Sequence, residues 1–403
     1  MTFPAVDPHL TLAAVAERWT AGRRTNIAFP GAYDLGPLID QHFAAAGLWS
    51  QLGNNIGSPY DDGHGHDHSK PQERQVVDLL ADMFGAPASR WGYVTSGSTE
   101  STLHALYDAK QQLPGLVVYT SADAHYSVVK LCVLLRLPWV IVEATDDGRI
   151  DLADLGQEMG RRRDQPAMVV ATAGTTITEG CDDVAAIADL CHRYARGRWR
   201  LHVDAALAGP PLGLLPASVR PAFDFAAGAT SIGISGHKSL STCDPCGVIV
   251  YAEPPYAAAR AQIAYTGTAD VTMSGSRSAR TPLKLWLVLN ALGADGHRER
   301  FDVARQVAAY AHDRLRTIGV AAERNPHAFT VYFPPPPAGL TERWAIATDR
   351  RYGHIICMPG IEPAQVDEFA RDWAKLLPKS RRLVRPRRPA AHAEEPVTVG
   401  GTA

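Results

Sequence analysis

The chain has 403 residues, enough for two domains or for one large and one small domain. Hydrophobic residues make up 46% of it and charged residues 20%, a composition typical of a globular protein in water. The formal net charge of -2 gives no reason to expect nucleic acid or an anionic membrane as a partner, and no apolar run approaches the ~20 residues that span a bilayer.

The N-terminus and the cysteines predict a cytoplasmic protein. The first stretch, MTFPAVDPHLTLAAVAERW, has no basic region, and charge interrupts its short apolar patch, so no signal peptide is predicted. The six cysteines are scattered, and the CxxC of Cys243 and Cys246 has no second pair to complete a zinc ribbon. Reduced thiols are therefore expected.

Short β-branched runs alternate with helical patterns through the middle of the chain. Apolar strands that alternate with helices predict an α/β fold whose mostly parallel sheet is covered on both faces. Ligands of such sheets bind outside the carboxyl ends of the strands, so the residues after each strand are the candidate site residues. The predicted strands lie at 115–121, 139–145, 167–174, 200–209, 230–236 and 246–253.

The character of the sequence changes after about residue 285. Two helical patterns, two short strands around a proline bridge and a final helix predict a small α+β domain. The stretch from Lys379 has no periodicity and predicts a solvated, disordered tail, although its arginines could also contact nucleic acid or a partner. The predicted divisions are an arm at 1–53, a large domain at 54–285, a small domain at 286–378 and the tail at 379–403.

The first polar strand end is GYVTSGSTESTLHALYDAK. A strand ends at Val94 and a helix begins near Thr99, so Ser96, Gly97 and Ser98 lie at a helix N-terminus with free backbone N–H groups. This arrangement is typical of a phosphate or carboxylate site, although small polar turns are common before helices. It matches neither the lysine-containing phosphate loop of nucleotide-binding proteins nor the three-glycine dinucleotide pattern.

Three further strand ends carry His125, Asp204 and Lys238. His125 could stack on a flat ligand or could cap the turn. Asp204 ends an apolar strand, where a carboxylate is costly unless it meets a cation, whether a ligand or a structural partner. Lys238 lies among small residues in SGHKSLSTCDPCG, which suits either a surface loop or close approach by a ligand. Together the four strand ends suit a flat, phosphorylated, cationic aldehyde, pyridoxal 5'-phosphate (PLP).

Nine motifs in order resemble those of group II PLP-dependent decarboxylases of fold type I, the aspartate aminotransferase-like fold. The resemblance extends from Asn54 to Leu377 and is to the branch of bacterial histidine decarboxylases and plant serine decarboxylases. The motifs are NNIGSPY, WGYVTSGSTE, AHYSVVK, AGTTITEGCDDV, HVDAALAG, SIGISGHK, PCGV, GSRSARTPL and GHIICMPGI.

The resemblance implies roles for individual residues. Lys238 would form a Schiff base with the cofactor, Asp204 would pair with the pyridine nitrogen, and His125 would stack on the ring. It also implies a homodimer with a shared active site, to which the segment around Ser276 and Arg277 of one chain contributes in the other. The remaining cofactor residues implied are Ser96, Gly97 and Ser98 with Ser235 and His237 for the phosphate, Ala206 for the second ring face and Thr175 near the ring oxygen.

The chain departs from the family pattern on the substrate side. DDGHGHDHSK follows NNIGSPY where the family has a Ser-Asn-Tyr type stretch, Ser98 replaces a glycine, and Ser101-Thr102 replaces Gly-Asn. His64, His66 and His68 alternate and could share one side of an extended segment as metal ligands, but a substrate loop without metal is the prediction. The residues predicted to face the substrate are Tyr60, His64, His66, Ser276 and Arg277.

The predicted function is the decarboxylation of an L-α-amino acid at Cα, either simple or coupled to oxidative deamination that gives an aldehyde. The alternative in the same site is β-elimination from a cysteine S-conjugate. Some enzymes of this type act in actinobacterial antibiotic pathways, and the altered loop makes specialised metabolism a plausible setting. A scaffold without catalysis is the alternative from another class, and the intact Lys238, Asp204 and His125 argue against it.

Overall fold

The computed structural model describes residues 7–256 and 261–378, so the predicted tail lies outside the described residues. The strands are β1 (Trp91–Thr95), β2 (Val117–Ser121), β3 (Trp139–Val142), β4 (Ala167–Thr172), β5 (Trp199–Asp204), β6 (Ser231–Ser235), β7 (Gly247–Tyr251), β8 (Ala261–Ile263), β9 (Thr268–Asp270), β10 (Thr330–Phe333), β11 (Ala347–Thr348) and β12 (Gly353–Ile356). A seven-stranded sheet with strand order β1-β7-β6-β5-β4-β2-β3 forms the centre of the fold. Only β7 runs antiparallel to its neighbours in this sheet.

Helices cover both faces of this sheet, which confirms the predicted α/β class. Successive residues of β4 alternate between two apolar clusters: Val169 belongs to one, and its neighbours Met168 and Val170 belong to the other. The helices are α1 (Pro8–Thr25), α2 (Gly36–Ala45), α3 (Lys70–Met83), α4 (Ser98–Gln112), α5 (Ser127–Leu135), α6 (Leu152–Arg161), α7 (Val184–Ala195), α8 (Gly209–Gly213), α9 (Arg280–Thr317), α10 (Ala338–Thr341) and α11 (Pro363–Leu376), with short 3-10 turns at Leu48–Ser50 and Phe225–Ala227.

Helix α9 connects the central sheet to a second, smaller sheet. Gly293 interrupts it with φ 63° and ψ -176°, so two helical segments meet there at a kink. Leu285 and Val288, before the kink, pack in the core beneath the large sheet. Val307 and Leu315, after the kink, pack with the three-stranded antiparallel sheet β10-β12-β11 and with α11. The predicted boundary at 285/286 thus falls inside this helix.

Helix α1 lies at the N-terminus and buries none of its side chains. Leu10, Leu12 and Trp19 are 71%, 67% and 64% exposed. The end of the helix is fixed to the smaller sheet's layer by an ion pair between Arg24 and Glu368. Exposed large apolar residues of this kind are typical of a surface that another protein chain covers.

Glu179 joins the turn after β4 to strand β10. Its Oε2 accepts hydrogen bonds from the Phe329 N–H (2.9 Å), the Thr330 N–H (2.8 Å) and the Thr330 hydroxyl (2.6 Å). Burial raises the pKa of Glu179 from 4.5 to about 7, despite these donors and the nearby Arg305. The protonated carboxyl is therefore favoured in the folded protein below neutral pH.

This raised pKa predicts a loss of stability as the pH rises. The contribution of Glu179 is fully present below its ordinary pKa of 4.5 and is lost as the pH passes through about 7. Glu179→Gln keeps an acceptor oxygen but cannot ionise. Denaturant unfolding at pH 5 and pH 8 should therefore show a smaller decrease for the variant, by roughly 2–3 kcal/mol. Asp182, whose pKa burial raises to about 6, supplies part of the decrease that remains. Equal decreases in both proteins would contradict the prediction.

Candidate active site

A cavity of about 280 Å³ opens at the carboxyl ends of β1, β2, β4, β5 and β6. Its volume is near the lower end of the ~300–1,000 Å³ typical of small-molecule sites. The sequence predicted that side chains at these strand ends meet, and the structure brings them together. The lining residues are Ser96, Gly97, Ser98, Thr99, Glu100, His125, Thr172, Gly174, Thr176, Asp204, Ala206, Ser235, His237 and Lys238.

Lys238 follows β6 and extends into this cavity. Burial lowers the pKa of its amine, while the negative charges of Asp204 and Glu179 act in the opposite direction. Within the described residues, its Nζ donates no hydrogen bond. A lowered pKa increases the fraction of neutral amine, which is the form that attacks a carbonyl carbon.

Asp204 is the last residue of β5, and the structure holds one of its two carboxylate oxygens. Oδ1 accepts hydrogen bonds from the Ser98 hydroxyl at 2.7 Å and from the Ala206 N–H at 3.2 Å. Oδ2 receives no hydrogen bond from the residues that the structure describes. The two hydrogen bonds to Oδ1 thus orient the carboxylate, and Oδ2 is available to a cationic or N–H group in the cavity.

The N-terminus of α4 forms one wall of the cavity. Glu100 Oε2 accepts from both the backbone N–H (2.8 Å) and the hydroxyl (2.6 Å) of Ser96, so these two predicted phosphate donors are engaged within the chain. The N–H groups of Gly97, Ser98 and Thr99 have no acceptor in the described part of the chain. Unpaired N–H groups at a helix N-terminus favour a bound anion.

Three more predicted cofactor residues surround the same space. His125 follows β2, and its Nδ1 is 2.7 Å from the Ser127 hydroxyl; burial lowers the pKa of its ring. His237 Nδ1 is 3.0 Å from the Cys246 carbonyl oxygen and 3.1 Å from the Cys246 nitrogen, so the backbone fixes that ring. Ser235, at the end of β6, also lines the cavity.

Thr175 lies beside the cavity rather than in its lining. Its hydroxyl accepts from the Gly180 N–H at 2.8 Å and lies 3.0 Å from the Thr178 hydroxyl, so it closes the turn after β4. Thr176 and Thr172 line the cavity instead. Sequence reasoning missed both, and it also missed Glu100, although an acidic residue in the first turn of a helix is a common signal for capping interactions.

None of the five residues predicted to face the substrate lines this cavity within the chain. Tyr60 packs on Trp91, and its hydroxyl accepts from the Gly92 N–H at 3.1 Å. Arg277 is buried in an ion pair with Glu73 and also donates to the Gly57 carbonyl. Ser276 is exposed, and its hydroxyl oxygen accepts from the Asn54 side chain at 3.1 Å.

Two basic residues of α3 bind the loop that contains His64, His66 and His68. Lys70 Nζ donates to the Asp61 carbonyl at 2.6 Å, and Arg74 donates to the Pro59 carbonyl at 2.8 Å. His64 and His66 are exposed, and the loop packs near the β8-β9 hairpin through a bond from the His64 N–H to the Thr266 carbonyl. In residues 7–256 and 261–378, no group of three His, Cys, Asp or Glu side chains is placed to bind a metal ion.

The features of the cavity fit PLP. The unpaired N–H groups at the start of α4 could hold its phosphate, the open Oδ2 of Asp204 could accept from its ring nitrogen, and Lys238 could bind its aldehyde. His125 and Ala206 both line the space between these two ends, where a flat ring would lie. When bound, PLP supplies an electron sink for the charge left at Cα.

Comparison with known proteins agrees with this chemistry. Residues 69–323 match the pyridoxal-dependent decarboxylase conserved domain. A histidine decarboxylase of Mesorhizobium japonicum is 41% identical over 337 residues, which are 83% of this chain and 90% of that protein. A histidine decarboxylase of Acinetobacter baumannii is 34% identical over 75% of this chain and 79% of its own. The structure of L-methionine decarboxylase from Streptomyces sp. 590 with L-methionine methyl ester superposes with a TM-score of 0.82 at 24% identity, covering 93% of this chain and 96% of the other.

The fold and the matches define a PLP-dependent enzyme of fold type I. The chain belongs to the pyridoxal-dependent decarboxylase family. It is a PLP-dependent amino-acid decarboxylase, a carbon–carbon lyase, which confirms the predicted family, cofactor and class of reaction. These relatives support decarboxylation over the β-elimination alternative.

Proposed function

We propose that this enzyme removes the α-carboxylate of L-histidine. The observation that carries the proposal is the 41% identity to a histidine decarboxylase over 90% of that protein's length. One departure from the family pattern is the predicted substrate loop, so other L-α-amino acids are the competing substrates. The cavity residues at the strand ends would serve any of them.

The chain's own residues divide the work of the site. Lys238 would hold the cofactor covalently, and its amine would be the group that returns a proton to Cα. Asp204 would keep a proton on the pyridine nitrogen, because a carboxylate close to a cation favours the charged form. His125 would pack against the ring, and the N–H groups of Gly97, Ser98 and Thr99 would hold the phosphate, with Ser235 and His237 beside it. Thr175 stabilises the turn after β4, next to the cavity.

A substrate panel tests the proposal. The PLP-loaded enzyme is incubated with L-histidine, other L-amino acids and cysteine S-conjugates, and carbon dioxide, hydrogen peroxide and pyruvate are measured separately. The expected result is carbon dioxide with an equal amount of histamine, and the highest kcat/KM for L-histidine. Peroxide with an aldehyde would mean the oxidative outcome, and pyruvate would mean β-elimination; either one as the main product contradicts the proposal.

The active form is proposed to be a homodimer with shared sites. The predicted substrate residues Tyr60, His64, His66, Ser276 and Arg277 lie outside the cavity of their own chain. A second copy would bring exposed residues of this set, such as His64, His66 and Ser276, to it. The exposed apolar residues of α1 support the same proposal, since they are the kind of surface a subunit covers.

Two measurements test the proposed homodimer. Sedimentation should give twice the 43.5 kDa mass of one chain. Co-expression of two defective variants tests the shared site: one is Lys238→Ala, and the other combines His64→Ala with His66→Ala. About half of the dimers should then be mixed, and each mixed dimer has one intact site of two, so about a quarter of wild-type activity should return. Each variant expressed alone is the control. A fully active monomer contradicts the dimer, and a dimer without recovery contradicts the contribution of the loop across the interface.

The location and the pathway stay predictions. Within the described residues, no helix is both long and apolar enough to cross a bilayer. The scattered cysteines, all free in the structure, support the proposal of a reducing cytoplasm. A role in antibiotic biosynthesis stays a prediction from the changed loop and the composition of the chain, and it competes with the proposal that L-histidine is the substrate.

A further inference from the structure

Ser98 contacts both ends of the cofactor site. Its backbone N–H is one of the unpaired donors at the start of α4, and its hydroxyl donates to Asp204 Oδ1 at 2.7 Å across 106 residues of sequence. Both residues are buried, with 7% of Ser98 and 6% of Asp204 exposed. The hydroxyl is therefore directed to the carboxylate rather than into the cavity where a phosphate would lie.

The second donor to Asp204 Oδ1 comes from the backbone of the same strand end. The Ala206 N–H reaches Oδ1 at 3.2 Å, a longer bond than that from Ser98. With Ser98 removed, the carboxylate would keep one weak local donor and could rotate about its Cβ–Cγ bond. With Ser98 present, the carboxylate plane is held so that Oδ2 is the oxygen left for a ligand.

Neighbouring hydroxyls on the buried face of α4 do not share this contact. Ser101 Oγ lies 3.0 Å from Thr95 Oγ1, and Thr102 Oγ1 lies 3.3 Å from His202 Nε2. Ser101 is fully buried and one turn further along the helix. It is thus a matched control for the loss of a buried hydroxyl that makes one hydrogen bond and does not touch Asp204.

We propose that Ser98 is a positioning residue that acts through Asp204 on the pyridine nitrogen of PLP, rather than a side-chain ligand of the phosphate. The proposal rests on the role of Asp204 given above. A hydrogen bond to a charged group has a large enough effect to be measured as a change in cofactor affinity. Only the backbone N–H of Ser98 would then bind the phosphate, as the sequence predicted for this residue.

The test compares PLP with 1-deazapyridoxal 5'-phosphate, in which carbon replaces the ring nitrogen. Both have the aldehyde and the phosphate, so only PLP should benefit from an oriented Asp204. Dissociation constants are measured by titrating the apoenzyme and following the cofactor absorbance. We expect Ser98→Ala to weaken PLP binding about tenfold and to change binding of the deaza analogue less than about twofold. Ser98→Thr, which keeps a hydroxyl, should restore PLP binding, and Ser101→Ala should affect neither cofactor.

The outcomes separate this proposal from the one on which it rests. Equal weakening of both cofactors by Ser98→Ala would assign the hydroxyl to the phosphate and overturn the proposal, and so would no weakening at all. Asp204→Ala should remove the preference for PLP over the analogue, and adding Ser98→Ala to it should then change nothing further. If Asp204→Ala keeps the full preference, the role of Asp204 is wrong.

Discussion

Lys238→Ala should abolish covalent attachment of PLP and reduce decarboxylation by at least about a thousandfold. The reason is that Lys238 is the only lysine among the lining residues of the cavity, and its lowered pKa favours the nucleophilic neutral amine. The variant should still fold, because within the described residues its amine makes no hydrogen bond that folding would lose. Borohydride reduction followed by mass measurement of the intact chain detects the attachment.

Lys130→Ala is the matched control for this experiment. Lys130 lies on α5 near His125, with its amine 5.7 Å from the ring centre of Tyr126, but it does not line the cavity. Its removal should leave both the attachment and the rate close to wild type. A reducible adduct on the Lys238→Ala chain would mean that another lysine carries the cofactor, and the assignment of Lys238 would then be wrong.

Asp204→Asn should reduce kcat by a hundredfold or more, on the order of the loss of one preorganised electrostatic group, while the protein stays folded. The amide oxygen can take the place of Oδ1 and accept from Ser98 and from the Ala206 N–H. The amide nitrogen then faces the cavity, and it cannot stabilise a protonated pyridine. The variant should therefore bind PLP covalently but use it poorly as an electron sink.

Three measurements on Asp204→Asn separate chemistry from folding. The melting temperature should stay within a few degrees of wild type, the borohydride-reducible adduct should form, and single-turnover carbon dioxide release should be slow. Wild-type turnover would show that the ring nitrogen does not need this carboxylate. Loss of the fold instead of the rate would mean that the hydrogen bonds to Oδ1 are mainly structural.

The approach of Asp204 and Lys238 in one cavity was predictable because they follow neighbouring parallel strands. Apolar runs predict where β5 and β6 end, and the topology then brings Asp204 and Lys238 to the same edge of the sheet. The antiparallel direction of β7 was not predictable in the same way, since its apolar run resembles those of the parallel strands.

Helix α4 shows why other parts of the site were not predictable. Its face against the sheet includes Ser98, Ser101 and Thr102 as well as Leu106, so hydrophobic periodicity understates what is buried. The three hydroxyls are buried there because each has a hydrogen-bond partner, 6 to 106 residues away in sequence, and no helical periodicity records those partners. The same limitation applies to Arg277, whose partner Glu73 is 204 residues away.

The kink at Gly293 has a consequence for protein engineering. A methyl group added at this position would meet no atom within 4 Å, so a count of clashes alone would accept alanine there. Alanine is also the better helix former by about 1 kcal/mol. Yet φ 63° with ψ -176° is a backbone conformation that residues with a side chain rarely adopt. Position 293 thus has room for a methyl group but a backbone conformation unsuited to it, and alanine there would destabilise the protein by roughly 1–3 kcal/mol.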